Sequence, residues 1–161
     1  MRNPLRVAAL QMITTDDIGA NQDRIAQAID DASDAGAEVL VTPECALSGY
    51  IPKKDLDFDK LENARDVLVE LAARNGLWLA LGTTRRDEEG WYNTAILYSP
   101  AAQLKACYDK THMMPADKDV FVAGSGLEVY QAGDWTFGIQ ICFDMRFPEN
   151  WRILRRRGAE V

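Results

Sequence analysis

Cys142 closes the apolar run Thr136-Phe137-Gly138-Ile139-Gln140-Ile141 and is followed by Phe143-Asp144-Met145-Arg146-Phe147-Pro148-Glu149, so a thiol sits where a predicted strand turns into a predicted helix. A strand end fixes the sulfur, and the next backbone N–H groups offer positive dipole to a thiolate and to any oxyanion it creates. Glu44, after Val41-Thr42-Pro43, and Lys110, after Tyr108-Asp109, also stand at the ends of strand-like runs. Together they satisfy a mechanism. The carboxylate takes the thiol's proton, the thiolate attacks a carbonyl or nitrile carbon, and the ammonium stabilises the negative charge that develops.

Each residue also has an ordinary explanation. A free Cys is commonly a small core residue, and Cys45 and Cys107 are expected to be that. Glu44 could be a surface carboxylate or helix cap, but it directly follows a buried strand, where a purely solvated charge is less expected. Lys110 could snorkel from a sheet edge. Against this, Leu104, Ala106 and Tyr108 share one strand face and Lys110 has the same parity, which aims the amine inward. His112 is the only histidine and reads as structural, so a Ser/His/Asp hydrolase and a multi-His metal site are disfavoured. Gly124-Ser125-Gly126 lacks the spacing of a phosphate loop. Trp78, Trp91, Trp135 and Trp151 read as packing residues.

The positioning elements are legible from periodicity. Leu5 to Met12 is a continuous apolar run, expected of a strand covered on both faces, and residues 21–35 place Ile25, Ala28, Ile29 and Ala32 at helical spacing before Gly36. Val39 to Thr42 reads as a second buried strand ended by Pro43. A second helix is expected over 58–75, with Asp59-x-x-Glu62 as a capping box, Leu61, Ala64, Leu68, Leu71 and Ala72 as its stripe and Gly76 as its stop. Strands follow at 77–83, 92–98 and 103–109, the last two an antiparallel pair. Residues 127–131 and 135–142 flank the turn Ala132-Gly133-Asp134, and Pro148 opens a third helix that Gly158 ends. Gly158-Ala159-Glu160-Val161 repeats Gly36-Ala37-Glu38-Val39, each copy after a helix. The expectation is that the chain stops one or two residues into a strand and is a fragment of a longer protein.

Composition narrows the class. The 161 residues are 47% hydrophobic, enough for a single domain with a real core, and the net charge of -7 argues against a nucleic-acid surface. The basic run Arg152 to Arg157, broken by Ile153 and Leu154, reads as a solvated face or an assembly contact. The start, Met1-Arg2-Asn3-Pro4-Leu5-Arg6, lacks the apolar stretch of a signal peptide, and no run is long enough to span a bilayer. Three cysteines form no CxxC pair. A cytoplasmic protein is expected.

The motif set resembles the nitrilase superfamily of carbon-nitrogen hydrolases. The matching stretches are Pro43-Glu44 with Ser48-Gly49-Tyr50, Tyr92-Asn93-Thr94-Ala95 leading to Tyr108-x-Lys110-x-His112, and Cys142 to Glu149, in the family's order across essentially the whole chain. The resemblance implies an α-β-β-α sandwich, here stopping after the third helix, and no cofactor or metal. It implies Glu44 as general base, Lys110 as transition-state stabiliser and Cys142 as nucleophile, with the N–H of Phe143 assisting the oxyanion. The substrate would be a small amide or carbamoyl compound, or a nitrile, and the assembly a homodimer across helices. Members usually carry a second glutamate between the lysine and the cysteine. The corresponding position here, seven residues after Lys110, is Asp117, with Asp119 as a competing alignment. Arg146-Phe147-Pro148-Glu149 resembles the omega-amidase-like branch, which favours amides over nitriles. The rival reading is a noncatalytic truncated homologue or interaction module that keeps the motifs only as ancestry.

Overall fold

The computed structural model describes residues 3–50 and 55–161; Met1 and Arg2 of the expected N-terminal entry to the first strand lie outside them. The elements are β1 (Val7–Ala9), α1 (Ile18–Asp34), β2 (Val39–Val41), α2 (Phe58–Arg74), β3 (Trp78–Arg86), β4 (Trp91–Tyr98), β5 (Leu104–Asp109), β6 (Val129–Ala132), β7 (Trp135–Gly138) and α3 (Pro148–Arg156), with short 3-10 turns at Asp117–Asp119 and Cys142–Arg146.

Five strands form one sheet in sequence order, β1-β2-β3-β4-β5. The first three are parallel, with α1 and α2 as crossovers, and β4 and β5 each run antiparallel to the strand before. Strands β2, β3 and β5 therefore point the same way and finish at one end of the sheet. That end collects whatever follows β2 and β5.

Alternation divides the core. On one face Leu40, Leu79, Leu81 and Ile96 pack with Ile25, Ile29, Leu61 and Leu68 of the two helices. Burying each of these side chains contributes roughly 1.5–3 kcal/mol. On the other face Leu97 and Ala106, with Trp78 and Ala80, meet Ala132, Tyr130 and Phe137 of the β6–β7 hairpin. Helix α3 backs the hairpin so closely that a Cβ at Gly138 would lie 3.0 Å from Cδ1 of Leu154. The layers thus run helix, sheet, hairpin, helix.

The echo between residues 36–39 and 158–161 is structural. Gly36 and Gly158 both take positive φ (71° and 102°). Ala37 N donates to Ala32 O as Ala159 N does to Leu154 O, and Gly36 N donates to Ser33 O as Gly158 N does to Arg155 O, the paired bonds of a Schellman ending. Gly76 and Leu77 close α2 the same way. Within both repeats the glutamate N–H reaches a distant backbone carbonyl: Glu38 N donates to Arg6 O, and Glu160 N to Thr136 O.

Several expectations need correction. The cap of α2 is Asp57, whose side chain accepts from Lys60 N, and not Asp59. The first strand is shorter than expected, and Val7 (48% exposed) and Val41 (39%) are open on one face because α1 and α2 cover only the other. Leu104 is exposed although Ala106, Tyr108 and Lys110 of the same parity are buried. The strand expected to reach Cys142 leaves its ladder at Gly138, opposite Val129, the first residue of β6. Cys107 is exposed and is not a core residue. Trp151 is also largely exposed.

Candidate active site

Glu44 follows β2, Lys110 follows β5, and both strands end on the same side, so topology alone brings the two residues together. Lys110 Nζ lies 2.7 Å from Glu44 Oε1 and 2.7 Å from Asp117 Oδ2. Lys110 and Asp117 are fully buried and Glu44 is partly so. The backbone of Lys110 is held on both sides, its N–H donating to Asn93 O and its carbonyl accepting from Gly124 N.

The carboxylate beside Lys110 is that of Asp117; Asp119 is exposed. Asp117 also accepts from Tyr50 Oη at 2.9 Å and from Met114 N at 3.0 Å. Burial pushes the Asp117 carboxyl up, but Lys110, Tyr50 and the Met114 amide outweigh it and hold it below the usual carboxylate range. Lys110 shows the converse. Burial works against its ammonium, and the hydrogen bonds to Asp117 and Glu44 raise its pKa above the ordinary value in spite of it. The lysine is a fixed cation at every physiological pH.

Cys142 opens the turn after β7, exposed, with φ 46°. A left-handed backbone at a residue with a side chain costs of order 1–3 kcal/mol and persists only where its surroundings over-determine it. Partial desolvation raises the pKa of the sulfur, and the charge of Glu44 raises it further, while Lys110 pulls the other way. A thiolate-ready sulfur is thus not what the structure holds. The turn's first hydrogen bond runs from Asp144 N to Ile141 O, so the N–H groups of Cys142 and Phe143 precede it. A cleft of about 280 Å³ leads away from Cys142 and Glu44, lined by Thr94, Ala95, Phe137 and Ile139 among others.

Two residues had no assigned role in the sequence reading. Asn93 Nδ2 donates to Glu44 Oε1 at 2.7 Å. Asp144, fully buried, gathers donors from around Lys110 and from Ile141. Both lie in the motif stretches, but their partners are distant in sequence, and only chain pairing reveals them. Among the described residues no cluster of three or more His, Cys, Asp or Glu side chains could hold a metal ion, and no helix is long and apolar enough to cross a membrane.

With this geometry in place, comparison with known proteins is decisive: residues 6–161 match the carbon-nitrogen hydrolase family. The chain belongs to that family. Its relatives place it in the amidase-like branch of the nitrilase superfamily. An amidase from Nesterenkonia sp. superposes with a TM-score of 0.88 at 30% identity, over 96% of this chain and 62% of that one. A mutant of the same amidase carries the product of Michael addition of acrylamide at its active site cysteine. Among curated relatives, a nitrilase of Pyrococcus abyssi is 29% identical over 88% of this chain, and a deaminated glutathione amidase of Yersinia enterocolitica 28% identical over 96%. The chain spans 56% and 60% of the lengths of these two proteins.

Proposed function

We propose that this carbon-nitrogen hydrolase chain carries the catalytic groups of an amidohydrolase acting on a small amide, with Cys142 as nucleophile, Glu44 as general base and Lys110 as stabiliser. The observation that carries the reading is the position of Lys110 Nζ, 2.7 Å from Glu44, with Glu44 and Cys142 lining the same cleft. Lys110 and Asn93 both take Oε1, so the thiol's proton passes to Oε2. Sγ then bonds to the carbonyl carbon, whose oxygen takes the electron pair beside the Phe143 N–H and the Lys110 ammonium. The pair returns, the C–N bond breaks, and nitrogen leaves as ammonia with the proton held on Glu44. Water, deprotonated by Glu44, attacks the thioester; the C–S bond breaks and the sulfur recovers its proton.

A raised thiol pKa suits this sequence. Proton transfer is coupled to attack, so the resting enzyme presents no free thiolate to stray electrophiles. Asp117, with its pKa held down, keeps a second negative charge on the far side of Lys110 and so keeps the amine charged and aimed. The reading extends to amide rather than nitrile substrates, to a cytoplasmic setting and to a homo-oligomer; the related Nesterenkonia amidase binds butyramide in one of its mutants, which supports the first of these.

The test is intact-mass spectrometry after exposure to butyramide and, in parallel, butyronitrile. An acyl adduct mapped to Cys142, lost in Cys142→Ala and stronger with the amide, is expected. An adduct on another cysteine, or none while Cys142 still alkylates, overturns the assignment.

A further inference from the structure

Asp144 has no exposed surface, and a buried carboxylate costs several kcal/mol unless its lone pairs are satisfied. Five donors satisfy it. Oδ2 accepts from Tyr108 Oη at 2.7 Å and from Ile141 N at 3.1 Å. Oδ1 accepts from Thr111 Oγ1 at 3.0 Å, from His112 N at 2.8 Å and from His112 Nδ1 at 3.0 Å.

The donors come from two distant pieces of chain. Tyr108, Thr111 and His112 flank Lys110, while Ile141 directly precedes Cys142. One carboxylate therefore fastens the end of β5 to the turn that carries the sulfur. The fastening extends into α3, since Asn150 Nδ2 lies 3.3 Å from both Asp144 O and His112 Nδ1, and the His112 ring stacks on Phe147 at 3.7 Å. The left-handed backbone at Cys142 needs such over-determination to persist.

We propose that Asp144 is a positioning residue: through Tyr108, Thr111, His112 and Ile141 it fixes the Cys142 sulfur in the cleft it shares with Glu44. It touches none of the reacting groups. The inference rests on the proposed pairing of Cys142 with Glu44, and the experiment separates the two.

Iodoacetamide alkylation of the chain is followed residue by residue with mass spectrometry across pH, with exposed Cys107 as an internal reference. Glu44, Lys110 and Asp117 are the charged groups that act on Cys142. In the unaltered chain Cys142 titrates above an ordinary thiol. Asp144→Asn lets the sulfur leave Glu44, and its midpoint falls by about one pH unit while that of Cys107 stays. A folded Asp144→Asn chain whose Cys142 midpoint is unchanged overturns the proposal. Should Asp144→Asn not fold, Tyr108→Phe removes one donor only and must shift Cys142 the same way by less; an unchanged midpoint there overturns the proposal equally. Glu44→Gln reports on the underlying pairing. If it fails to lower the Cys142 midpoint, the proposed base falls and the inference with it, whereas a shift in Glu44→Gln without one in Asp144→Asn removes only the role of Asp144.

Discussion

Asn93 donates its side-chain amide to Oε1 of Glu44, the oxygen that Lys110 also holds, each at 2.7 Å. Two donors on one oxygen fix the rotation of the carboxylate and leave its other oxygen free of both. Asn93 is fully buried on β4, the strand that runs against β5, and its carbonyl also receives the Lys110 N–H. It therefore locates Glu44 and Lys110 together.

Asn93→Ala should slow acylation of Cys142 on the order of tenfold, the cost of one hydrogen bond to a charged group. Asn93→Asp should do more. It sets a second carboxylate against Glu44, and the acid limb of the acylation rate should move to higher pH. Rates measured against pH on both variants check this, and equal profiles would remove Asn93 from the site.

How far the sequence could be read follows from the kind of signal each residue carries. Lys110 was legible through strand parity, and Glu44 and Cys142 through breaks in apolar runs, because these are local patterns. The Schellman endings were equally local, each a Gly at the end of a stripe. Asn93 and Asp144 were not legible as participants, since their partners lie 49 residues and, for Tyr108, 36 residues away. The exposed Cys107 and the open face of β1 and β2 were missed for a similar reason: apolar content predicts burial but not which neighbour supplies it.

The three thiols should separate cleanly by reagent. Cys45 is fully buried and pushed up to about 12 by burial with the Glu44 charge beside it, whereas Cys107 and Cys142 are exposed. Native alkylation should modify two cysteines and spare Cys45. Cys107→Ala should leave acylation of Cys142 unchanged, and Cys142→Ala should abolish it. Peptide mapping after a timed iodoacetamide pulse reads all three, and early labelling of Cys45 would show that the Glu44 loop opens.

Gly82 permits the close approach of that loop. A Cβ there would lie 2.0 Å from Pro43 O and 3.1 Å from Cys45 N, both backbone atoms that cannot rotate aside. Gly82→Ala should displace the Pro43–Cys45 segment and with it Glu44, lowering acylation about 100-fold for a shift near 1 Å. Gly124→Ala should act alike on Lys110, because its Cβ would meet Asp109 O at 2.2 Å. Gly126→Ala is the control, with its nearest neighbour at 4.0 Å. Comparable losses in all three would point to loop entropy instead of displacement.

The buried charges set a pH signature for stability. Asp117 has a folded pKa below its unfolded value, so its contribution is present above the unfolded pKa near 3.9 and is lost as pH falls through the folded one. Lys110 has the opposite displacement, so its contribution is full below about 10.4 and is lost only as pH rises through the folded value. At neutral pH both are in force. Asp117→Asn should flatten the acid limb of stability below about pH 4. Lys110→Met should cost roughly 3–5 kcal/mol at pH 7, because it leaves the fully buried Asp117 and the partly buried Glu44 without their cation. In that variant Asp117 titrates above its unfolded pKa, the folded chain binds more protons than the unfolded one, and stability rises on acidification. Urea unfolding at pH 4 and pH 7 checks the sign. A Lys110→Met penalty that is no smaller at pH 4 would mean that Asp117 finds another partner when the amine is gone.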